Sequence, residues 1–528
     1  MSELLPLSAA NESDPSETGP DRLPRVLGLF HATMIVVGSI IGSGIFLKIS
    51  AVDSALQPYG FLSIIGTWLF VGLITLCGSL ALAELGAMFP HAGGPYLYIR
   101  EAFGKLPAFL WGWTEFWVIR TGSVGALACA TVLYMNKLFP MSPIGQTAVA
   151  LMIIIGLSAI NLVSTKAGAG VQSIATVTKV GFLAGLIILP FVFRAVDTAN
   201  LRPLWEMPAG PGATSSFWKA IGIAMVAVMW PYDGWINLGP VAEDIRDPKR
   251  NVPRAMAIGI GGVMVIYLGA NFSYHLVLPM SHLAQSGTVA ADVFQKMFGP
   301  VGAQVAAVGV MISTFGATNS NMITGPRIYL AIARDGLVPS SLQRIHPRFL
   351  TPANTIMIQA VWAVTLVLLF SVWGQHAPTQ SSTVTTVATG SSIVGTDAAD
   401  AADRSATVPP APSVSLTLGE QHSQRMKGAF DHLTNSVVCA GLIFYGMAVA
   451  AVYVLRWKRP DIHRPYRTWG YPITPALLLL AYFGAFISLL NEQLAQTMSV
   501  LVLIGAGIAY FIVASAVQRR RNSPNPDK

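Results

Sequence analysis

The chain has 528 residues, of which 53% are hydrophobic and only 11% charged, with a mean hydropathy of +0.57. Soluble domains carry about 25% charged residues, so an ordinary soluble enzyme and a disordered chain are both excluded and a polytopic membrane protein remains. The formal charge of +8 does not signal a nucleic-acid partner, because the basic residues sit mainly between apolar segments.

Residues 1–24 are polar and acidic, with Glu3, Glu12, Asp14, Glu17 and Asp21. They lack the basic start and short apolar stretch of a signal peptide and are expected to form a disordered cytoplasmic tail. Apolar runs follow near 29–55, 61–89, 106–134, 145–165, 169–193, 216–242, 254–278, 301–333, 352–373, 430–455, 471–490 and 496–517. A lipid-spanning segment must satisfy its own backbone. A helix does this with about 20 residues, and these runs are too long for barrel strands of about 10. The expected fold class is an all-α membrane protein with twelve transmembrane helices over residues 25–517.

Lys and Arg set the orientation. With the N-terminus inside, the basic clusters at 246–254, 456–467 and 519–521 share its side. Few basic residues, Lys48, Lys137 and Lys219 among them, fall on the other. Both termini, including a tail at 518–528, are therefore expected in the cytoplasm, and the protein in the cell (inner) membrane. Residues 374–428, rich in Ser, Thr, Ala, Val and Pro, read as an extracellular low-complexity insertion with little to bury. Their alternating Val and Thr could instead pair as a small hairpin. Cys77, Cys129 and Cys439 lie inside apolar runs without metal-ligand spacing, so no disulfide framework, metal or cofactor is expected.

The first span contains the run Gly38-Ser39-Ile40-Ile41-Gly42-Ser43-Gly44-Ile45-Phe46. Gly38 and Gly42 would suit close helix packing. The same residues would also suit a broken helix, tolerated at membrane depth only where it lines a cavity. In that case the free amides of Ser43, Gly44 and Ile45 would favour a carboxylate, and the carbonyls near Ile40 and Ile41 an ammonium. The sixth span carries a second interruption, Met229-Trp230-Pro231-Tyr232-Asp233-Gly234-Trp235-Ile236-Asn237, where Pro231 removes an amide. Interrupted segments at corresponding places in two halves point to a transporter site. Spans one and six are five apart, as a five-plus-five inverted repeat over about 29–193 and 216–455 requires, with a further helix pair at about 471–517.

These residues resemble the amino acid–polyamine–organocation (APC) superfamily, and within it the L-type amino acid transporters and their bacterial relatives. The likeness rests on Gly42-Ser43-Gly44-Ile45-Phe46, Ala83-Glu84-Leu85-Gly86 with His91-Ala92-Gly93-Gly94-Pro95-Tyr96, the Tyr232-Asp233-Gly234-Trp235 break, and Asp247-Pro248-Lys249-Arg250-Asn251-Val252-Pro253-Arg254. It implies a LeuT-like fold with broken helices 1 and 6. It further implies that Ser43 and Gly44 take the substrate carboxylate, and that the carbonyls of Ile40, Trp230 and Asp233 take the amino group. Trp230 would be an aromatic gate and Asn321 a side-chain-pocket residue. The sequence departs from many relatives at Ile236, where they carry Asn. Lys179, in the fifth span, would occupy the place of a sodium ion between the first and eighth helices, with Ser313 and Thr314 as polar neighbours, implying sodium-independent transport. Animal members join a heavy chain through a cysteine between spans three and four. Ser142 stands there, so no heavy-chain disulfide is expected, and the chain would act as a monomer or weak homodimer.

Among the remaining buried charges, Glu115 and Arg120 are five apart, an imperfect intrahelical spacing, and each is expected to bond another helix. Glu84 reads as structural or as a gate element. His31, His275 and His282 read as isolated, and no constellation supports an enzyme. The expected function is a sodium-independent alternating-access exchanger of neutral amino acids. A proton-coupled symporter of amino acids, cationic amino acids or amines, and a transport-inactive sensor, are the alternatives.

Overall fold

The computed structural model describes residues 25–210, 212–373 and 418–522. The expected tail at 1–24 and most of the expected insertion, 374–417, lie outside the described residues.

Each apolar run falls on a helix. We number them α1 (Leu29–Ile40 resuming at Gly44–Leu47), α2 (Phe61–Met88), α3 (Lys105–Leu138), α4 (Pro143–Val163), α5 (Thr165–Val192), α6 (Ala213–Tyr232 continued by a 3-10 segment Trp235–Asp244), α7 (Pro248–Val277), α8 (Val289–Arg334), α9 (Ala353–Trp373), α10 (Leu418–Lys458), α11 (Ile473–Glu492) and α12 (Leu494–Asn522). Among the described residues eleven helices are long and apolar enough to cross a membrane, and the apolar stretch of α9, Ala353–Leu369, is shorter.

Three boundaries differ from expectation. The helix α10 begins at Leu418, inside the segment read as insertion up to 428. The helix α12 runs to Asn522, past the expected start of the C-terminal tail at 518. Polar composition at a helix end does not stop a helix whose backbone ladder is already running. In α8, Gly299 has φ 64 and ψ −154, so a short helix precedes the long one.

The interior is built from α1, α3, α6, α8 and α10. The first half of α1 packs against α5 and α7, and α8 packs between α3 and α5. Large side chains such as Trp68, Trp111 and Trp235 are fully enclosed there. The peripheral helices turn apolar side chains outward, for example Ile174 and Val177 on α5, Phe483 on α11 and Val502 on α12. That much apolar surface is the opposite of a soluble exterior and suits contact with lipid chains.

Candidate functional site

The first helix ends at Ile41, whose backbone is extended (φ −71, ψ 96), and restarts at Gly44. The first hydrogen bonds of the second piece are donated by Phe46 and Leu47 to the Ser43 carbonyl, at 3.1 and 3.0 Å. The amides of Ser43, Gly44 and Ile45 therefore precede the ladder, as the first amides of any helix do. In α6 the helix stops at Tyr232. Asp233 is extended (φ −63, ψ 155), and Gly234 adopts φ 98, a left-handed conformation that disfavours any side chain.

The two interruptions touch at two points. A Cβ on Gly44 would lie 2.5 Å from Pro231 Cα, and one on Gly234 would lie 2.7 Å from the Ser39 carbonyl oxygen. Only glycines permit this approach of backbone to backbone.

Between the breaks lies a cavity of about 20 Å³, room for one water molecule and less than any amino acid needs. Ile40, Ser43, Gly44, Trp230, Asp233 and Asn321, all expected at the site, line it. Ile45 is fully buried and lies beside the cavity rather than on its wall. Gly42, Leu127 and Gly234 also line it, as do Ser39, Ser123, Asn237 and Ala317, which were not expected at the site. Asn237 offered a signal, a polar residue two positions beyond the Trp of the second break. Ser123 offered none, since serines are common in membrane helices.

Trp230 and the amide turn are joined, because Trp230 Nε1 donates to Ser43 Oγ at 3.2 Å. The carbonyls at the breaks are partly engaged. Tyr267 Oη lies 3.1 Å from the Ile40 oxygen and 2.9 Å from that of Pro231. The Asp233 amide donates to the Trp230 oxygen at 3.0 Å. Each carbonyl retains a second lone pair. The Asp233 carboxylate faces the Tyr445 hydroxyl.

Lys179 is fully buried, and its Nζ donates to the carbonyls of Gly38 (2.7 Å) and Ile41 (2.5 Å) at the end of the first half-helix. An ammonium without water must find such partners. Ser313 Oγ on α8 donates to the Gly42 carbonyl at 3.0 Å. Thr314 does not join this group. It faces away, towards Thr131 on α3, at 2.7 Å, because adjacent helical positions point about 100° apart.

Arg120 bonds other helices, as expected, but Glu115 and Arg120 also bond each other, at 3.0 Å. The reason is local. Residues Glu115–Ile119 form a π-helical turn, and the Arg120 amide donates to the Glu115 carbonyl. A π-turn closes at a spacing of five and so aligns the two side chains. Arg120 Nη1 also reaches Asn237 Oδ1 (2.8 Å), Asn321 Oδ1 (2.8 Å) and Thr324 Oγ1 (3.1 Å), tying α3 to α6 and α8.

Further contacts tie the helices together on either side of the breaks. Towards the end of α1 that follows the break, Phe430 on α10 meets the Trp230 ring edge-on at 6.1 Å between centroids. Lys48, expected on the outer side, is buried over Phe430 and paired with Asp431 at 2.7 Å. Nearby, His275 is not isolated: its Nε2 lies 3.1 Å from Asp53 Oδ1, both enclosed. The pair comes from α7 and the Ile49–Leu56 helix, too far apart in sequence to be read as one. Towards the other end, Arg327 bonds Asp244 at 2.7 Å, and the Leu27 amide donates to the Asp244 carbonyl at 2.9 Å. Glu84 binds Arg456 (2.7 Å) and the Thr468 amide (2.6 Å), and Arg100 binds Asp335 at 2.7 Å. Burial works against the Arg100 charge, but the Asp335 carboxylate outweighs it and raises the guanidinium pKa. Among the described residues no group of three or more His, Cys, Asp or Glu could hold a metal ion.

An all-helical bundle with many apolar spans, interrupted twice around an internal cavity, defines a multi-pass membrane transporter. Residues 27–514 match the family model described as amino acid permease, and the chain belongs to that family. It is 27% identical over 520 residues to the serine/threonine exchanger SteT of Bacillus subtilis (strain 168), covering 96% of this chain and 100% of that one. It is 34% identical over 354 residues to the b(0,+)-type amino acid transporter 1 of Oryctolagus cuniculus, covering 66% and 70% of the two chains. It is 29% identical over 514 residues to the large neutral amino acids transporter small subunit 2 of Homo sapiens, covering 96% and 83%. The protein is thus an amino acid transporter and not an enzyme.

Proposed function

We propose that the protein is a sodium-independent, alternating-access exchanger of neutral amino acids, in the cell membrane with both termini cytoplasmic. The observation that carries this reading is the Lys179 ammonium bound across the Gly38 and Ile41 carbonyls. It supplies, covalently, the positive charge that a sodium-coupled carrier would have to recruit at the broken helix. The substrate carboxylate takes the amides of Ser43, Gly44 and Ile45, and the ammonium takes second lone pairs on the Ile40, Trp230 and Asp233 carbonyls. The exchange assignment draws support from the similarity to SteT, which is named as an exchanger.

Counterflow in proteoliposomes tests it. Labelled amino acid should enter only vesicles preloaded with unlabelled amino acid, at equal rates in sodium and in choline. Uptake into empty vesicles driven by an imposed proton gradient would overturn exchange in favour of proton symport. Ser142, where the resembling animal chains carry a cysteine, caps α4 by accepting from the Gly145 amide at 3.2 Å. A hydroxyl offers no disulfide, so the chain is assigned no heavy-chain bond.

In this reading Lys48, Asp431, Phe430 and Trp230 form the outer gate. Lys48→Ala, in a protein freed of its three cysteines, should speed external thiol labelling of Ser39→Cys several-fold. An unchanged labelling rate would show that this pair does not hold the gate.

A further inference from the structure

The Asp53–His275 pair lies outside the substrate cavity, and its geometry fixes how many protons it holds. His275 Nδ1 lies 2.8 Å from the Asn271 carbonyl oxygen. A carbonyl only accepts, so Nδ1 carries a hydrogen. In a neutral imidazole Nε2 is then a bare lone pair. It faces Asp53 Oδ1 at 3.1 Å, and an ionised carboxylate also only accepts. Two lone pairs do not attract, so a further proton lies between them. Imidazolium with carboxylate and imidazole with carboxylic acid are the same pair with that proton on a different atom.

Both side chains are fully enclosed, and Asp53 Oδ2 has no partner among the described residues. The shared proton is therefore what neutralises this carboxylate. The charged groups on neighbouring elements are engaged elsewhere. Lys48 pairs with Asp431, Lys219 on α6 with Glu492 at 3.1 Å, and His282 on the Met280–Gln285 helix with Asp292 at 3.6 Å. Lys296 on α8 donates to the Val277 carbonyl at 2.5 Å, Lys179 on α5 to the Gly38 and Ile41 carbonyls, and the Asp197 carboxylate accepts from the Ala199 amide at 2.8 Å. From α2 the imidazole meets the uncharged Phe61 ring, at 5.1 Å between centroids. The Ile49–Leu56 helix that carries Asp53 follows directly on Lys48, and His275 stands near the end of α7. The pair thus pins to α7 the segment that holds the Lys48–Asp431 contact.

We propose that Asp53 and His275 form a proton-binding site that keeps the outer gate shut while it is occupied. When the proton leaves for external water, a buried carboxylate faces an imidazole lone pair with nothing between them, and the Ile49–Leu56 helix comes away from α7. The closed form binds the proton more tightly than the open one, so external alkali shifts the population towards opening. The gating half of this rests on the transport reading above; the proton site does not.

Two measurements on wild type and Asp53→Asn test the two halves. In Asp53→Asn the new amide donates to Nε2 and keeps the hydrogen bond without the shared proton. Folded wild type holds a proton that the free side chains give up, so its melting temperature should fall by a few degrees between about pH 6.5 and about pH 8.5. Asp53→Asn should lose clearly less over the same interval. In proteoliposomes of fixed internal pH, the wild-type KM for external amino acid should fall several-fold over that rise in external pH, and that of Asp53→Asn should stay level. A merely structural pair would move KM alike in both. Should Asp53→Asn not elute as a single species, Asp53→Asn/His275→Gln, in which one carboxamide donates to the other, takes its place. Equal pH dependence of melting in wild type and variant overturns the proton site. A difference in melting with no difference in KM overturns its hold on the gate. Absence of all uptake would overturn the transport reading and the gating half with it, and melting would still decide the proton site.

Discussion

Lys179→Ala is expected to lower uptake by at least about tenfold while the protein still folds and inserts. The two effects separate because they rest on different terms. Removing the ammonium strips the Gly38 and Ile41 carbonyls of their shared donor, and each orphaned acceptor costs about 1–3 kcal/mol. The same substitution also relieves the desolvation of a buried charge, which is of similar size, so folding changes little. Transport has no such compensation. The carbonyls that lose their donor terminate the half-helix on which the cavity is built, and they are then free to rotate out of the geometry the substrate needs. Uptake by the purified variant in liposomes, beside its melting temperature, measures both. Normal uptake would show that the ammonium is packing and nothing more, and the sodium-independence argument would fall with it.

The second large effect is expected at Gly44. An alanine there brings its Cβ to 2.5 Å from Pro231 Cα and 2.8 Å from Pro231 N. Neither is a flexible side-chain end that can turn aside, so the two interruptions must separate. We expect Gly44→Ala to lose transport at least about tenfold and to melt several degrees lower, since forcing an atom into a packed site costs about 1–3 kcal/mol. Gly66→Ala is the matched control. Nothing lies within 4 Å of its Cβ position, and alanine is the better helix residue by up to about 1 kcal/mol. It should transport normally. If Gly44→Ala behaved like Gly66→Ala, the close approach of the two breaks would not be what shapes the site.

Much of this site is legible along the chain because it is made of backbone. Glycines inside an apolar run, and a proline followed by Asp-Gly in another, can be interpreted without knowing what they touch, since their effect is on the helix that contains them. Ser43, Gly44 and Asp233 were therefore accessible to sequence reasoning, and the interruptions lie where those residues stand. The Glu115–Arg120 pair was misread for a related reason. A spacing of five is judged against an α-helix, and a single π-turn changes that rule without leaving a composition signature. Thr314 and Ser313 are equally polar neighbours in sequence, and only the rotation of α8 shows which one faces the break.

The chain by itself determined that this protein lies in a membrane as a set of helices, because hydropathy and run length are properties of the segment alone and lipid leaves the backbone no other solution. It also determined where two of those helices break. Which side chains meet across the cavity was decided only by tertiary packing. Lys48 with Asp431, His275 with Asp53, and Arg120 with Asn237 and Asn321 are each joined over more than a hundred residues of chain. A hydrogen bond or ion pair depends on distances of a few tenths of an ångström, and those are set by how whole helices rotate and stack against one another, which no local pattern of residues encodes.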